Sequence, residues 1–283
     1  MQTFSDKVAV ITGAASGIGF SMAQRCAAEG MHVVLADIEQ QALDRAHAEL
    51  AASKAASLWS QRVDVAEASQ VEALADSVYQ RFGAVHLLHN NAGVGGGDRN
   101  CWELQLDYWQ WILSVNLMGV VHGIKYFVPG MLKQTEGHIV NTASVAGLMS
   151  APGSGAYNVS KHGVVSLTET LMGDLRKVNP AIGVSVLCPS FVNTRIYAAE
   201  RNRPDQGLAS EQQLAMEALA EDFFSAVALS PDKVAEAVFT AIAKRRFYIL
   251  THPGVKMQVE KRMRAIVDDG APDLNGAEDF PLD

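Results

Sequence analysis

"KVAVITGAASGIG", residues 7–19, sets a short β-branched run against three glycines, Gly13, Gly17 and Gly19, and then opens a helical pattern. A strand that ends on glycines at the mouth of a helix brings free backbone N–H groups and the positive end of the helix dipole to one point, which suits a phosphate. Glycine is needed there because a Cβ would hold the backbone away from a pyrophosphate or forbid the turn. The pattern continues outward with a helix over 17–29, "HVVLAD" at 32–37 and a second helix around 39–52. That βαβα order predicts α/β architecture, with strands buried in a doubly wound parallel sheet and helices on both faces.

Further strands are predicted at 57–65, 85–90, 137–144, 183–190 and 247–251, which brings the sheet to about seven. A chain of 283 residues alternating in this way reads as one large domain, residues 1–267, followed by an acidic tail at 268–283. Between 193 and 230 a polar, turn-rich stretch gives way to Leu208, Leu214, Met216, Leu219, Phe223, Phe224 and Val227 in mainly helical spacing, which predicts a helical flap inside the domain.

A formal charge of −8 with evenly scattered Lys and Arg argues against a nucleic-acid partner, which needs a basic face. Cys26, Cys101 and Cys188 are too widely spaced for a disulfide framework or zinc site and read as buried thiols in a reducing compartment. The opening "MQTFSDKVAVITG" lacks the features of a signal peptide, and no run of about 18 apolar residues is free of charges or breakers. The expectation is a cytoplasmic protein with no membrane partner.

The second strand ends in Asp37, 20 residues beyond Gly17. An acid at that point holds both ribose hydroxyls of an adenosine and repels a 2′-phosphate. Positions 14 to 16 are Ala14, Ala15 and Ser16, and Ile38 follows the acid, so no Lys or Arg adjoins Asp37 in sequence. NAD is favoured over NADP.

Four motifs in order make the chain resemble the short-chain dehydrogenase/reductase family up to about residue 265: "TGAASGIG" at 12–19, "NNAG" at 90–93, "SVNLMGV" at 114–120, and Ser144 lying 13 residues before Tyr157 of "YNVSK". The resemblance implies a Rossmann-type fold and a catalytic set of Asn116, Ser144, Tyr157 and Lys161. In that set the Tyr is the acid/base, the Lys binds the nicotinamide ribose and lowers the Tyr pKa, the Ser steadies the substrate oxygen and the Asn supports a proton relay. For the cofactor it implies Gly13, Ser16, Gly17, Ile18 and Gly19 at the phosphates, Asp37 at the ribose, and Asp64 and Val65 beside the adenine. Asn90, Ala92 and Gly93 border the cofactor in this reading, Tyr157 and Lys161 serve it as well, and Pro189, Val192 and Thr194 of "PSFVNT" grip the carboxamide. Two positions depart from the family pattern: Ser190 stands where Gly is usual, and Ala143 where a second Ser is frequent.

The residues support the same chemistry independently. Tyr157 and Lys161, at i and i+4, share one helix face. A phenol ionises near pH 10, so a base working near neutrality needs preferential phenolate stabilisation of about 3–4 kcal/mol, which nearby cations supply. Metal catalysis competes poorly, because His86 and His89 lie three apart on a predicted strand and point to opposite faces.

Specificity is expected from loops beyond the strand ends, with Trp102, Leu148, Met149, Phe191, Tyr197, Met216 and Phe223 as apolar candidates for a bulky hydrophobic or aryl secondary alcohol or ketone. Arg195, Arg201 and Arg203 read either as solvated or as a site for an anionic group. The resemblance also implies a homotetramer or homodimer built on the helices around 105–128 and 157–178. Two alternatives stay open: an NADPH-dependent ketone reductase, and a nucleotide-binding scaffold without turnover.

Overall fold

The computed structural model describes residues 1, 3–96, 99–204 and 227–274. Strands β1 (Val8–Thr12), β2 (His32–Asp37), β3 (Ser57–Arg62), β4 (Leu87–Asn90), β5 (Gly137–Thr142), β6 (Ile182–Cys188) and β7 (Tyr248–Leu250) form one sheet in the order β3-β2-β1-β4-β5-β6-β7. Every pairing is parallel. The helices are α1 (Gly17–Ala28), α2 (Gln40–Leu50), α3 (Ala68–Phe82), α4 (Leu106–Leu113), α5 (Gly119–Met131), α6 (Gly155–Val178), α7 (Pro231–Ala243) and α8 (Val255–Val267), with a π-helical turn at Ser114–Met118 joining α4 to α5.

The two-faced packing of a central parallel strand explains why β1 is buried throughout. Ala9 and Ile11, with Val33 and Leu35 of β2, pack on one face against α1, α2 and α7. Val8 and Val10, with Val34 and Ala36, pack on the other against α3, α5 and α6. The chain builds outward from β1 to β3, then returns to place β4 on the opposite side of β1. At that reversal the crossover helices leave on opposite faces, and a crevice opens at the carboxyl ends of β1 and β4.

Several predicted strands are shortened by local chemistry. The third, expected to reach residue 65, stops at Arg62 because Asp64 turns the chain, its Oδ1 accepting from the backbone N–H of Ala66 at 2.9 Å. The fifth stops at Thr142 because Ser144 caps a short 3₁₀ turn, its Oγ accepting from Ala146 N–H. The sixth ends before Pro189, which has no N–H to give the ladder. Leu106–Met131 is long and apolar enough to cross a membrane by length and composition alone, although it carries Asp107, Lys125 and Pro129. Its inner face is used by this domain: Tyr108, Trp111, Ile112, Val120 and Phe127 are buried. Cys26 and Cys188 are buried as expected, whereas Cys101 is exposed.

Phe127 sits at the centre of the face shared by α3 and α5, fully buried, with the Tyr79 ring 6.2 Å away and the Tyr79 hydroxyl donating to its carbonyl. Phe127→Ala is expected to lower unfolding free energy by about 3–5 kcal/mol, measured by urea denaturation.

Candidate active site

The glycine loop is shaped by close approaches. Gly13 and Gly17 have positive φ, +64° and +53°. A Cβ on Gly17 would lie 2.8 Å from Thr194 Cγ2, so this turn leaves room only for glycine. Gly19 has a different task from the one expected. A Cβ there would meet the Gly13 carbonyl oxygen at 2.0 Å, so Gly19 lets α1 pack against the loop and does not itself line the cleft. Ser16 caps α1 in extended conformation without a side-chain hydrogen bond, and it lines the cleft with Gly17 and Ile18, so the positive end of α1 opens there.

The loop is tied to β4 through one side chain of β1. Thr12 Oγ1 accepts from Asn91 N–H at 2.9 Å and Ala92 N–H at 3.0 Å, and Asn91 Nδ2 donates back to the Thr12 carbonyl at 3.0 Å. Asn90, expected to border the cofactor, lies below the cleft with Nδ2 donating to Asn141 Oδ1. Its neighbour Asn91 lines the cleft with Ala92 and Gly93.

At the far end, Asp37 Oδ2 accepts from Ala15 N–H at 2.9 Å and Oδ1 from Glu39 N–H at 3.0 Å. Burial pushes its carboxyl above the ordinary value, and these backbone donors oppose the rise. Asp64 and Val65 line the cleft beside it. The expectation that no cation adjoins Asp37 holds only along the chain. The parallel register sets Arg62 against Asp37, with Arg62 Nε donating to the Ile38 carbonyl at 3.0 Å. Glu39 Oε1 accepts from Arg201 Nη2 at 2.6 Å and Asn202 Nδ2 at 3.2 Å. The only signal in the sequence was the place of Arg62 at the end of the third strand, and using it requires knowing which strand lies beside which.

The other end gathers Ser144, Tyr157 and Lys161. Ser144 follows β5, Tyr157 and Lys161 stand one turn apart on α6, and Lys161 Nζ lies 5.6 Å from the Tyr157 ring centroid. Lys161 is almost wholly buried, and its Nζ donates to the Thr142 carbonyl at 3.2 Å. Burial lowers its amine to about 8, with the nearby Cys188 opposing. The Tyr157 phenol is raised, not lowered as expected from a neighbouring lysine: burial dominates and a hydrogen bond with Ser144 offsets part of it. The ammonium of Lys161 is turned toward Thr142, which explains why it does little for the phenol in the protein alone. Asn116 sits behind this wall, fully buried in the π-helical turn and absent from the cleft lining. Its Oδ1 accepts from Val94 N–H at 2.8 Å, and its Nδ2 donates to the Val94 carbonyl and to Ser160 Oγ.

Pro189, Val192 and Thr194 complete the rim. The Pro189 carbonyl accepts from Val145 N–H at 2.9 Å. Ser190 replaces the usual glycine without a positive φ, so the turn accepts it unstrained.

The whole cleft measures about 2320 Å³, well beyond a drug-sized pocket and sufficient for a dinucleotide with a second molecule. Of the apolar candidates, Met149, Phe191 and Tyr197 line it. Trp102 is 82% exposed and Leu148 packs with the Val120 cluster, so neither does. Met216 and Phe223 lie outside the described residues, as do Leu208, Leu214, Leu219 and Phe224 of the expected flap and residues 275–283 of the acidic tail. The described part of that tail contributes an unexpected wall, because Asp273 and Leu274 reach the cleft. Arg203 is paired, its Nη2 lying 3.0 Å from Asp107 Oδ2 and its guanidinium over Tyr108. His89 is buried against Thr142, while His86 precedes β4 and accepts from Val8 N–H. Among the described residues, no group of three or more His, Cys, Asp or Glu is placed to hold a metal ion.

Residues 7–205 match the family described as short chain dehydrogenase. A CLA biosynthesis dehydrogenase/reductase of Lactiplantibacillus plantarum is 37% identical over 97% of this chain and 98% of its own length. A C alpha-dehydrogenase of Sphingobium sp. strain SYK-6 is 34% identical over 96% of this chain and 89% of its own. A short chain dehydrogenase/reductase of Burkholderia phymatum, solved in complex with NAD, is 47% identical over 96% of this chain and 98% of that one, with a TM-score of 0.88.

The buried amine makes stability depend on pH. Because the Lys161 pKa falls from 10.5 to about 8 on folding, the unfolded chain binds the extra proton between those values, and stability rises with pH through that window. Below it, the burial penalty on the ammonium is fully present. Lys161→Met is therefore expected to stabilise the protein, relative to wild type, by about 2–3 kcal/mol more at pH 7 than near pH 10.5, read from urea denaturation at both values.

Proposed function

The chain belongs to the short-chain dehydrogenase/reductase family, and from that premise we propose that it is an NAD-dependent enzyme interconverting a bulky hydrophobic or aryl secondary alcohol and its ketone, with Tyr157 as acid/base. The family membership itself makes the chain an oxidoreductase acting on CH–OH groups with a nicotinamide cofactor. The observation that carries the finer reading is the meeting, in one cleft, of the glycine loop and Asp37 at one end with Ser144, Tyr157 and Lys161 at the other.

The residues present fit NAD. The turn at Gly17 has no room for a side chain, the first turn of α1 faces the cleft, and the Asp37 carboxylate is oriented by two backbone donors. When bound, the oxidised nicotinamide supplies the hydride-accepting carbon and a positive charge near the phenol. Tyr157 takes the substrate hydroxyl proton as the alcohol is oxidised and returns it in reduction. Ser144 hydrogen-bonds the same oxygen and fixes its distance from the reacting carbon. Lys161 holds its ammonium at the cleft wall from the Thr142 carbonyl, within reach of a ribose hydroxyl. Asn116 is a positioning residue, since both ends of its amide lock the backbone of Val94 behind the site.

A large substrate is supported by the cleft volume and by Met149, Phe191 and Tyr197 in its wall. The reading extends to a cytoplasmic homo-oligomer joined through α4, α5 and α6, supported by the exposed apolar side chains of Leu106, Met118 and Val159.

Nicotinamide absorbance with NAD and a panel of aliphatic, aryl and polycyclic secondary alcohols tests the chemistry. Turnover of a bulky class is expected, with kcat falling about 10³-fold or more in Tyr157→Phe while NAD still quenches protein fluorescence. Tight NAD binding with no turnover in either direction would favour a scaffold, and turnover with NADPH and ketones alone would favour a reductase. Sedimentation equilibrium is expected to give a dimer or tetramer, and a monomer at micromolar concentration would refute the assembly.

A further inference from the structure

Two acids and three arginines meet where the ribose of a bound adenosine would lie. Asp37, Glu39, Arg62, Arg195 and Arg201 all line that end of the cleft. They come from three separate places: the end of β2, the end of β3, and the 3₁₀ segment Arg195–Asn202 that crosses from the opposite rim. By charge alone, such a corner is as well furnished for a 2′-phosphate as for a free 2′-hydroxyl, because guanidinium groups are the usual partners of phosphate. Without Glu39, Asp37 would face three cations there.

The disposition of Glu39 changes that balance. Its Oε1 accepts from Arg201 Nε at 3.1 Å, from Arg201 Nη2 at 2.6 Å and from Asn202 Nδ2 at 3.2 Å. Arg201 is also anchored by its Nη1 to the Ala198 carbonyl at 2.6 Å and the Arg195 carbonyl at 3.2 Å. The guanidinium is thus held against Glu39, with most of its donors already engaged. Burial tends to raise the Glu39 carboxyl, but the hydrogen bonds of Arg201 and Asn202 and the charges of Arg201 and Arg195 outweigh it and keep the group below the ordinary carboxylate value. Glu39 is therefore ionised at neutral pH and exerts its charge on both arginines.

Building on the NAD reading, we propose that Glu39 is a determinant of dinucleotide selectivity: it engages Arg201 and so keeps that guanidinium from serving as the counter-charge to a 2′-phosphate beside Asp37. Asp37 repels the phosphate directly, and Glu39 denies it a counter-charge. Neither effect touches the 2′-hydroxyl of NAD, so selectivity and NAD affinity are separable.

The test is calorimetric titration of NAD and NADP into wild type, Glu39→Gln, and Glu39→Gln combined with Arg201→Ala, each first checked for an unchanged circular dichroism spectrum. Glutamine keeps the shape and one acceptor but removes the charge, so NADP affinity is expected to rise about tenfold while NAD affinity moves far less. The gain should shrink in high salt, where charge attraction is screened, and should be lost in the double variant, which has no Arg201 to release. A Glu39→Gln variant with the same NADP-to-NAD affinity ratio as wild type overturns the proposal, as does a gain that survives removal of Arg201. If wild type already binds NADP as tightly as NAD, the NAD reading falls. In that case a gain for NADP alone in Glu39→Gln still upholds the role of Glu39, and no gain overturns it.

Discussion

The molecule depends on the joining of two strand ends, β1 and β4, by the side chains of Thr12 and Asn91. These strands are neighbours in the sheet but far apart in the chain, so the crevice above them has walls built from separate crossovers. The Thr12 hydroxyl accepts from the backbone of Asn91 and Ala92, and the Asn91 amide donates back to the end of β1. One polar clamp therefore sets the separation between the glycine loop and the "NNAG" turn. Thr142 Oγ1 donates to Asn91 Oδ1 and Lys161 Nζ to the Thr142 carbonyl, which continues the same set of bonds to α6. The glycine loop and the Tyr157–Lys161 pair are thereby held in one frame.

That frame carries an electrostatic penalty around Tyr157 and Lys161. A lysine almost fully buried and a phenol raised by burial are each destabilised in their charged forms. Such groups persist in a folded domain because the surrounding sheet packs well enough on both faces to offset them. The low polarity that penalises the charges also strengthens their interaction with a bound cation, so the site is poised to respond to its cofactor.

The segment after Thr194 unites the two ends a second time, from above. It packs Thr194 over Gly17, binds Glu39 through Arg201 and Asn202, and reaches Asp107 and Tyr108 through Arg203. The same few residues thus contact the glycine loop, the acid beyond β2 and the start of α4. This makes the Thr194–Arg203 segment a structural bridge over the cleft, a role that its polar composition disguises.

What the sequence determined by itself was local: the strand–glycine–helix of residues 7–19, the near-continuous apolar runs of β1 and β2, the i,i+4 pair Tyr157 and Lys161, and the acid ending β2. Backbone sterics and side-chain spacing act over a few residues, so such features are legible without neighbours. The family motifs added the match between distant segments, and the cleft gathers Ser144, Tyr157 and Lys161 as that match implied. Only the tertiary structure decided that Gly19 serves packing, that Asn91 and not Asn90 lines the cleft, that Asn116 works from behind Val94, and that Arg62 and Arg201 stand beside the acids of the ribose corner. The reason is physical: which face a side chain presents, and which charge it meets, follow from strand order and register, and these are set by contacts between residues far apart in the chain.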